Sequence, residues 1–371
     1  MFNEYNTIEF KEKNQWKCQN KIDELLSLLP AYCTDFERWM KQKCVIKTRM
    51  EYLQDVYTFM RFLYSKNPSI QSIADIELQT LEKLNGFDFD EYNEWLGSYK
   101  FNQNDPNEKV KTNSAVTKKR KLSSLRTFFH FLYIREMISC NPSEKAIMPL
   151  VKKKKRKDIR TLEDDECAVF LKYIDDCYKT ALKNVDPDKD KRSVLRPAIV
   201  LRDKAIIYLF LGTGLRVSEL CAINCENISF QLNYINVIRK EDSDDSGTTD
   251  KVYPSEEVME VLLSYLHEAR DVLSPNTDNY DALFISSKHE RITPRAVEMM
   301  VKGYAEKVLG KNCGITPHKL RATFGTRFYA MTKDISATST AMNHSGIEIT
   351  ATHYIKEDQR AKELAAKLKI K

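Results

Sequence analysis

Along the first 150 residues, apolar positions recur every three or four places, the period of an amphipathic helix rather than the alternation of a strand. Ile22, Leu25, Leu26 and Leu29 mark one helical stretch within residues 22–40, which Pro30 is expected to bend or restart. Leu53, Val56, Met60 and Leu63 mark a second over 48–65, and a third is read over 88–99. The polar stretch 102–113, with Pro106 inside it, reads as a loop. Ser114 then opens a helix with Leu122, Leu125, Phe129 and Leu132 along one stripe. Lys118, Lys119, Lys121 and Arg126 occupy its other face, and Asn141-Pro142 closes the set.

The pattern changes at residues 151–160, VKKKKRKDIR, where seven of ten residues are basic and no apolar period is present. This reads as a linker. Thr161 is expected to cap the next helix, with Asp164 completing a capping box. A long helical region follows, with the apolar run 205–211 as part of a buried helix. It is interrupted by strand-like alternation over 233–240 and 251–254 around a polar, acidic stretch, which predicts a hairpin with a long turn. Residues 284–286 are a candidate third strand, and 357–371 read as a short amphipathic helix.

These elements predict a mainly α protein of two domains. The expected parts are an N-terminal extension (1–21), an all-α domain (22–150), the basic linker (151–160), a mostly helical domain with a small antiparallel sheet (161–356), and the C-terminal helix (357–371). Scarce glycine, 10 of 371 residues, agrees with a helical chain.

Charge adds a partner. The net charge is only +6, yet residues 109–160 hold 16 Lys and Arg against 3 acidic residues. A focused basic band in an otherwise mildly acidic chain is suited to a polyanion. On this reading Lys118, Lys119, Lys121 and Arg126 of the helix, and Lys152, Lys153, Lys154, Lys155, Arg156 and Lys157 of the linker, would lie on double-stranded DNA. The rival for the linker is a localisation-type basic patch. No apolar run reaches the roughly 18 residues of a membrane span. The first residues lack a signal-peptide core, and nine cysteines include no CxxC pair. A reduced, cytoplasmic protein without metal or other cofactor is expected.

Chemistry enters through six residues in order: Arg216 in GTGLRVSEL, Lys240 in VIRK, His318 and Arg321 in TPHKLRATFGT, His344 in MNHSG, and Tyr354 in ATHYIK. Guanidinium groups bind non-bridging phosphate oxygens in pairs and stabilise charge that develops in phosphoryl transfer. Histidines and a lysine can move protons, and a tyrosine can act as nucleophile. Glu219, one turn beyond Arg216, is placed to orient it.

GLRVSEL, HKLRATFGT, NHSG and the late tyrosine resemble the tyrosine recombinases, or phage-integrase family, over roughly residues 22–360. Among its branches the chain looks most like the single-protein Xer recombinases of Gram-positive bacteria. The resemblance implies a SAM-like core-binding domain and a catalytic domain gripping opposite faces of the duplex. It implies that Arg216 and Arg321 clamp the scissile phosphate, with His318 and His344 beside it. Tyr354 would form a 3′-phosphotyrosyl bond, and Lys240 would protonate the leaving 5′-oxygen. Lys251 is the alternative general acid, because an acidic turn follows Lys240 where the family usually has a short glycine-containing one. Ala322 stands where a second histidine is common. A homo-tetramer on two sites is implied, with the C-terminal helix docking on a neighbouring protomer and with room for an accessory protein.

Chromosome dimer resolution is the expected role, since no arm-site domain is read before residue 22. Integration or excision of a mobile element is the alternative. An inactive DNA-binding protein and a type IB topoisomerase, which relaxes DNA as a monomer, are the readings from other classes.

Overall fold

The computed structural model describes residues 5–100, 107, 109–151, 160–186, 191–239, 248–274 and 281–343. The chain divides into two compact units, one built from the elements before the lysine-rich stretch and one from those after it.

The first unit is helical: α1 (Tyr5–Leu28), α2 (Tyr32–Lys41), α3 (Ile46–Lys66), α4 (Leu78–Glu82), α5 (Gly86–Trp95) and α6 (Ala115–Ile134). Pro30 falls between α1 and α2, where its missing N–H and fixed φ cost no helical bond. α1 passes residue 22 without a break, so most of the expected extension belongs to the same helix. The first-unit helix expected over 88–99 starts at Gly86, where Asn85 caps it by accepting from the Phe87 N–H, and stops at Trp95. Ser114 caps α6 as expected, accepting from the Thr117 N–H at 3.2 Å.

Aromatic rings fill this core. Phe59 of α3 stacks on Phe89 of α5 at 5.6 Å and meets the edge of Phe129 of α6 at 5.9 Å. The α6 stripe Leu122, Leu125, Phe129 and Leu132 is buried, with Phe128 and Phe131 widening it.

Of the four cations assigned to the opposite face, Lys121 is buried and its ammonium lies 2.8 Å from the carboxylate of Asp55 on α3. This corrects the sequence assignment. Lys121 sits one helical turn before Leu125, so it shares the edge of the buried stripe, and Asp55 supplies the charge that permits it. Lys118 donates to the Asn93 carbonyl and Arg126 to the Ala146 carbonyl, while Lys119 is exposed.

The second unit contains α7 (Asp164–Lys183), α8 (Lys191–Thr213), α9 (Val217–Ala222), strands β1 (Ile228–Ser229), β2 (Tyr234–Arg239) and β3 (Thr248–Val252), and α10 (Glu256–Tyr265). A π-turn (Leu266–Arg270) leads into α11 (Asp271–Leu273), followed by α12 (Pro294–Leu309), α13 (Pro317–Thr332) and α14 (Ile335–Met342). Helix α8 is the central post, packed by α7, α10 and α13, and its residues 205–207, 209 and 210 are fully covered.

The cap of α7 is Glu163, not Thr161: the Glu163 N–H donates to Glu166 at 3.0 Å. Thr161 and Leu162 stay outside the helix because Leu162 is buried in the core and its N–H donates to Thr323 Oγ1 of α13 at 2.9 Å. A tertiary acceptor thus displaced a local cap.

A hairpin forms, but its second strand is Thr248–Val252 rather than 251–254, so residues 248–250, read as turn, belong to the strand. β2 and β3 pair antiparallel with Ile235 opposite Val252 and Arg239 opposite Thr248. The third strand is β1, paired with β2, and not residues 284–286. Phe284 and Ile285 are buried, but their stretch bonds elsewhere: the Leu283 N–H donates to Ile223 O and the Ile292 N–H to Phe284 O.

Candidate active site

Four helix ends of the second unit meet around two arginines. α8 ends at Thr213, and Gly214 follows with φ +63°, the left-handed turn that ends many helices. The turn needs glycine on two counts. A Cβ there would lie 2.4 Å from Phe324 Cδ1 of α13 and 3.0 Å from Met342 Sδ of α14. It delivers Arg216 to the N-cap position of α9.

There the Glu219 carboxylate works on both ends of Arg216. One oxygen accepts from the Arg216 backbone N–H at 2.8 Å, and the other from its guanidinium at 2.7 Å. The remaining terminal nitrogen of Arg216 donates to the Asn343 carbonyl at 2.7 Å.

Arg321 enters from α13, whose start is set by Thr316 as N-cap and Pro317 at the first helical position. Its guanidinium donates to the Gly214 carbonyl at 2.6 Å and to the Met342 carbonyl, and lies 4.0 Å from Glu219. Met342 and Asn343 form the C-terminal end of α14, with Asn343 left-handed at φ +45°. Carbonyls at a helix C-terminus carry partial negative charge, so two guanidiniums on them are well placed.

The two arginines differ in access. Arg216 has 43% of its side chain exposed, Arg321 only 5%. Arg216 can meet a ligand directly, while Arg321 is a buried positive charge held on two carbonyls. His318 opens the same side of α13, at its exposed N-terminal turn. The spacing of His318 and Arg321 thus puts them one turn apart, but the interior covers only the second.

Lys251 lies on the exposed side of β3, opposite Asn236, with its ammonium 4.3 Å from the centre of the Tyr234 ring. Its neighbour Asp250 pairs with the buried Arg239 at 2.8 Å. Lys240, His344 and Tyr354, the linker cations Lys152 to Lys157, and the helix expected over 357–371 lie outside the described residues. Among the described residues no group of His, Cys, Asp or Glu could hold a metal ion, and no helix is long and apolar enough to cross a membrane.

Sequence reasoning missed two participants, the Gly214 and Met342–Asn343 carbonyls. The GTG turn was a signal for the first. Nothing local marks the second, because a backbone carbonyl has no side-chain signature.

Comparison with known proteins agrees with this geometry. Residues 192–360 match the model of the phage integrase family. The tyrosine recombinase XerS of Streptococcus agalactiae is 28% identical over 368 residues, covering 92% of this chain and 96% of the relative. XerS of Streptococcus equi is 27% identical with the same coverage. Two solved structures share the fold. One is the Tn1549 transposon integrase in complex with circular intermediate DNA, with TM-score 0.60 and 17% identity over 91% of this chain and 99% of that one. The other is the XerH site-specific recombinase bound to difH substrate, with TM-score 0.58 and 17% identity over 95% and 93%. With two arginines and a glutamate drawn together inside the matched region, residues 192–360 carry the match to the phage integrase family, and most of the chain is similar to tyrosine recombinases.

Proposed function

We propose that the chain is a Xer-like site-specific recombinase that resolves chromosome dimers, cutting and rejoining duplex DNA in the cytoplasm without a cofactor. The observation that carries this reading is the convergence of Arg216 and Arg321 on Glu219, two positive charges against one negative, with Arg216 exposed. Tyr354 attacks the scissile phosphorus, its oxygen replaces the 5′-oxygen, and the 5′-hydroxyl leaves with a proton from Lys240 or Lys251. That hydroxyl then attacks the phosphotyrosine formed on the partner duplex, joins the two strands there and frees that tyrosine. The energy of the broken bond is kept in the protein–DNA ester, so one difficult step becomes two reversible ones. An unperturbed tyrosine ionises near pH ~10, so a base and a cationic site are needed to make it a nucleophile at neutral pH. His318 is the base in this scheme, and His344 supports a non-bridging oxygen. A tetramer on two sites, exchanging C-terminal helices, carries the two strand exchanges, with an accessory protein where the site demands one.

A mobile-element integrase is the second reading, favoured by the fold shared with the Tn1549 transposon integrase. Covalent capture separates the two. Wild type and Tyr354→Phe are mixed with fragmented host DNA and denatured, and the attached DNA is sequenced. Adducts with wild type alone near the replication terminus are expected. Adducts at the ends of an element would make it an integrase. An adduct with the Phe variant would remove Tyr354 as nucleophile, and none with either would favour a binding protein.

A further inference from the structure

We propose that Arg120, clamped by Asp55, is the α6 cation that meets the phosphodiester backbone of duplex DNA, and that Lys121 is not; this rests on the DNA reading above. Asp55 stands on α3 and is almost wholly buried. Its two oxygens accept four hydrogen bonds from α6: Arg120 Nη1 at 2.7 Å, Arg120 Nη2 at 3.0 Å, Lys121 Nζ at 2.8 Å and Ser124 Oγ at 2.8 Å.

Two cations on one carboxylate leave one positive charge over, and burial decides where it is felt. The Lys121 side chain is 10% exposed, whereas Arg120 is 48% exposed. Lys121 therefore neutralises Asp55 from inside, and the uncompensated charge is presented by Arg120. The fork of two parallel bonds fixes the guanidinium plane. Each terminal nitrogen keeps a second N–H, and Nε keeps its own, so donors remain for phosphate oxygens. Lys119, the residue before Arg120, is exposed as well. A pre-oriented arginine loses less conformational entropy on binding than a freely rotating side chain.

The test is the salt dependence of binding. A fluorescent duplex of mixed sequence is titrated with the full chain at several salt concentrations, for wild type, Arg120→Gln, Lys121→Gln and Asp55→Asn. Each phosphate contact contributes about 0.9 to the slope of log affinity against log salt. Arg120→Gln is expected to lower the slope by about one. It leaves Asp55 bonded to Lys121 and Ser124, so the fold persists, which a thermal melt confirms. Lys121→Gln is expected to keep the wild-type slope while melting lower. Asp55→Asn, if folded, is expected to bind several-fold more weakly although it adds positive charge, whereas charge counting alone expects tighter binding.

An unchanged slope in Arg120→Gln, or an equal loss in Lys121→Gln, would overturn the assignment. A folded Asp55→Asn that binds as tightly as wild type would overturn the clamp. Salt-independent or absent binding by wild type would instead sink the DNA reading itself, and this inference with it.

Discussion

Arg321 donates to the carbonyl of Gly214, 107 positions earlier, across 2.6 Å. The bond ties the end of the central helix to the helix that carries His318, and it exists only because Gly214 can take the left-handed conformation.

Replacing Gly214 by Ala is expected to destabilise the second unit by at least about 2 kcal/mol, from the left-handed backbone and the added methyl together. Phe324 and Met342 must both move to admit it. Because Met342 also accepts from Arg321, strand cleavage should fall further than stability explains. Urea unfolding beside single-turnover cleavage checks this. A variant with wild-type stability would show that the turn is not tight.

Glu219→Gln keeps shape and removes charge from a buried group that faces both arginines. Losing a charge-assisted bond is worth about 1.5–3 kcal/mol, or about 10–100-fold in rate if it is felt in the transition state. Cleavage should fall by that factor, while duplex affinity stays level or rises. Affinity falling in step with cleavage would assign Glu219 to binding rather than to orienting Arg216.

Alkaline pH should unfold the second unit through buried thiols and a buried phenol. Burial pushes Cys221 from 9.0 up to about 12, Cys167 from 9.0 up to about 11, and Tyr208 from 10.0 up to about 12. For a group whose folded value is raised, stability is complete below the unfolded value and is lost as pH climbs through the folded one. Stability should be level to about pH 9 and decline between 9 and 12. Urea midpoints across that range measure it, and Cys221→Ala should flatten part of the decline. A decline beginning below pH 8 would point to other groups.

Much of this was legible beforehand. The α6 stripe, the Ser114 cap, the first hairpin strand, read over 233–240 and found over Tyr234–Arg239, and the break at Pro30 follow from periods and residue types within one element. The arginines and Glu219 were legible because their types and order carry the family pattern, and the structure brings Arg216, Glu219 and Arg321 together.

Other features had no local signature. Thr161 reads as a cap, but Leu162 gives its N–H to Thr323, 161 positions away. Phe284 and Ile285 read as a strand, but their backbone bonds go to neighbours outside the sheet. Lys121 reads as a surface cation in a run of four, and Asp55, 66 positions earlier, takes it inside.

By itself the sequence determined which stretches are helical and that a hairpin interrupts them, because periods of 3.6 and 2 and capping chemistry act over a few residues. It also determined which chemical groups are present. Only the tertiary structure decided which cations keep their charge at the surface and which carbonyls hold the arginines. Burial and pairing of a charge depend on groups distant in the chain, and a buried cation is tolerated only where such a partner meets it.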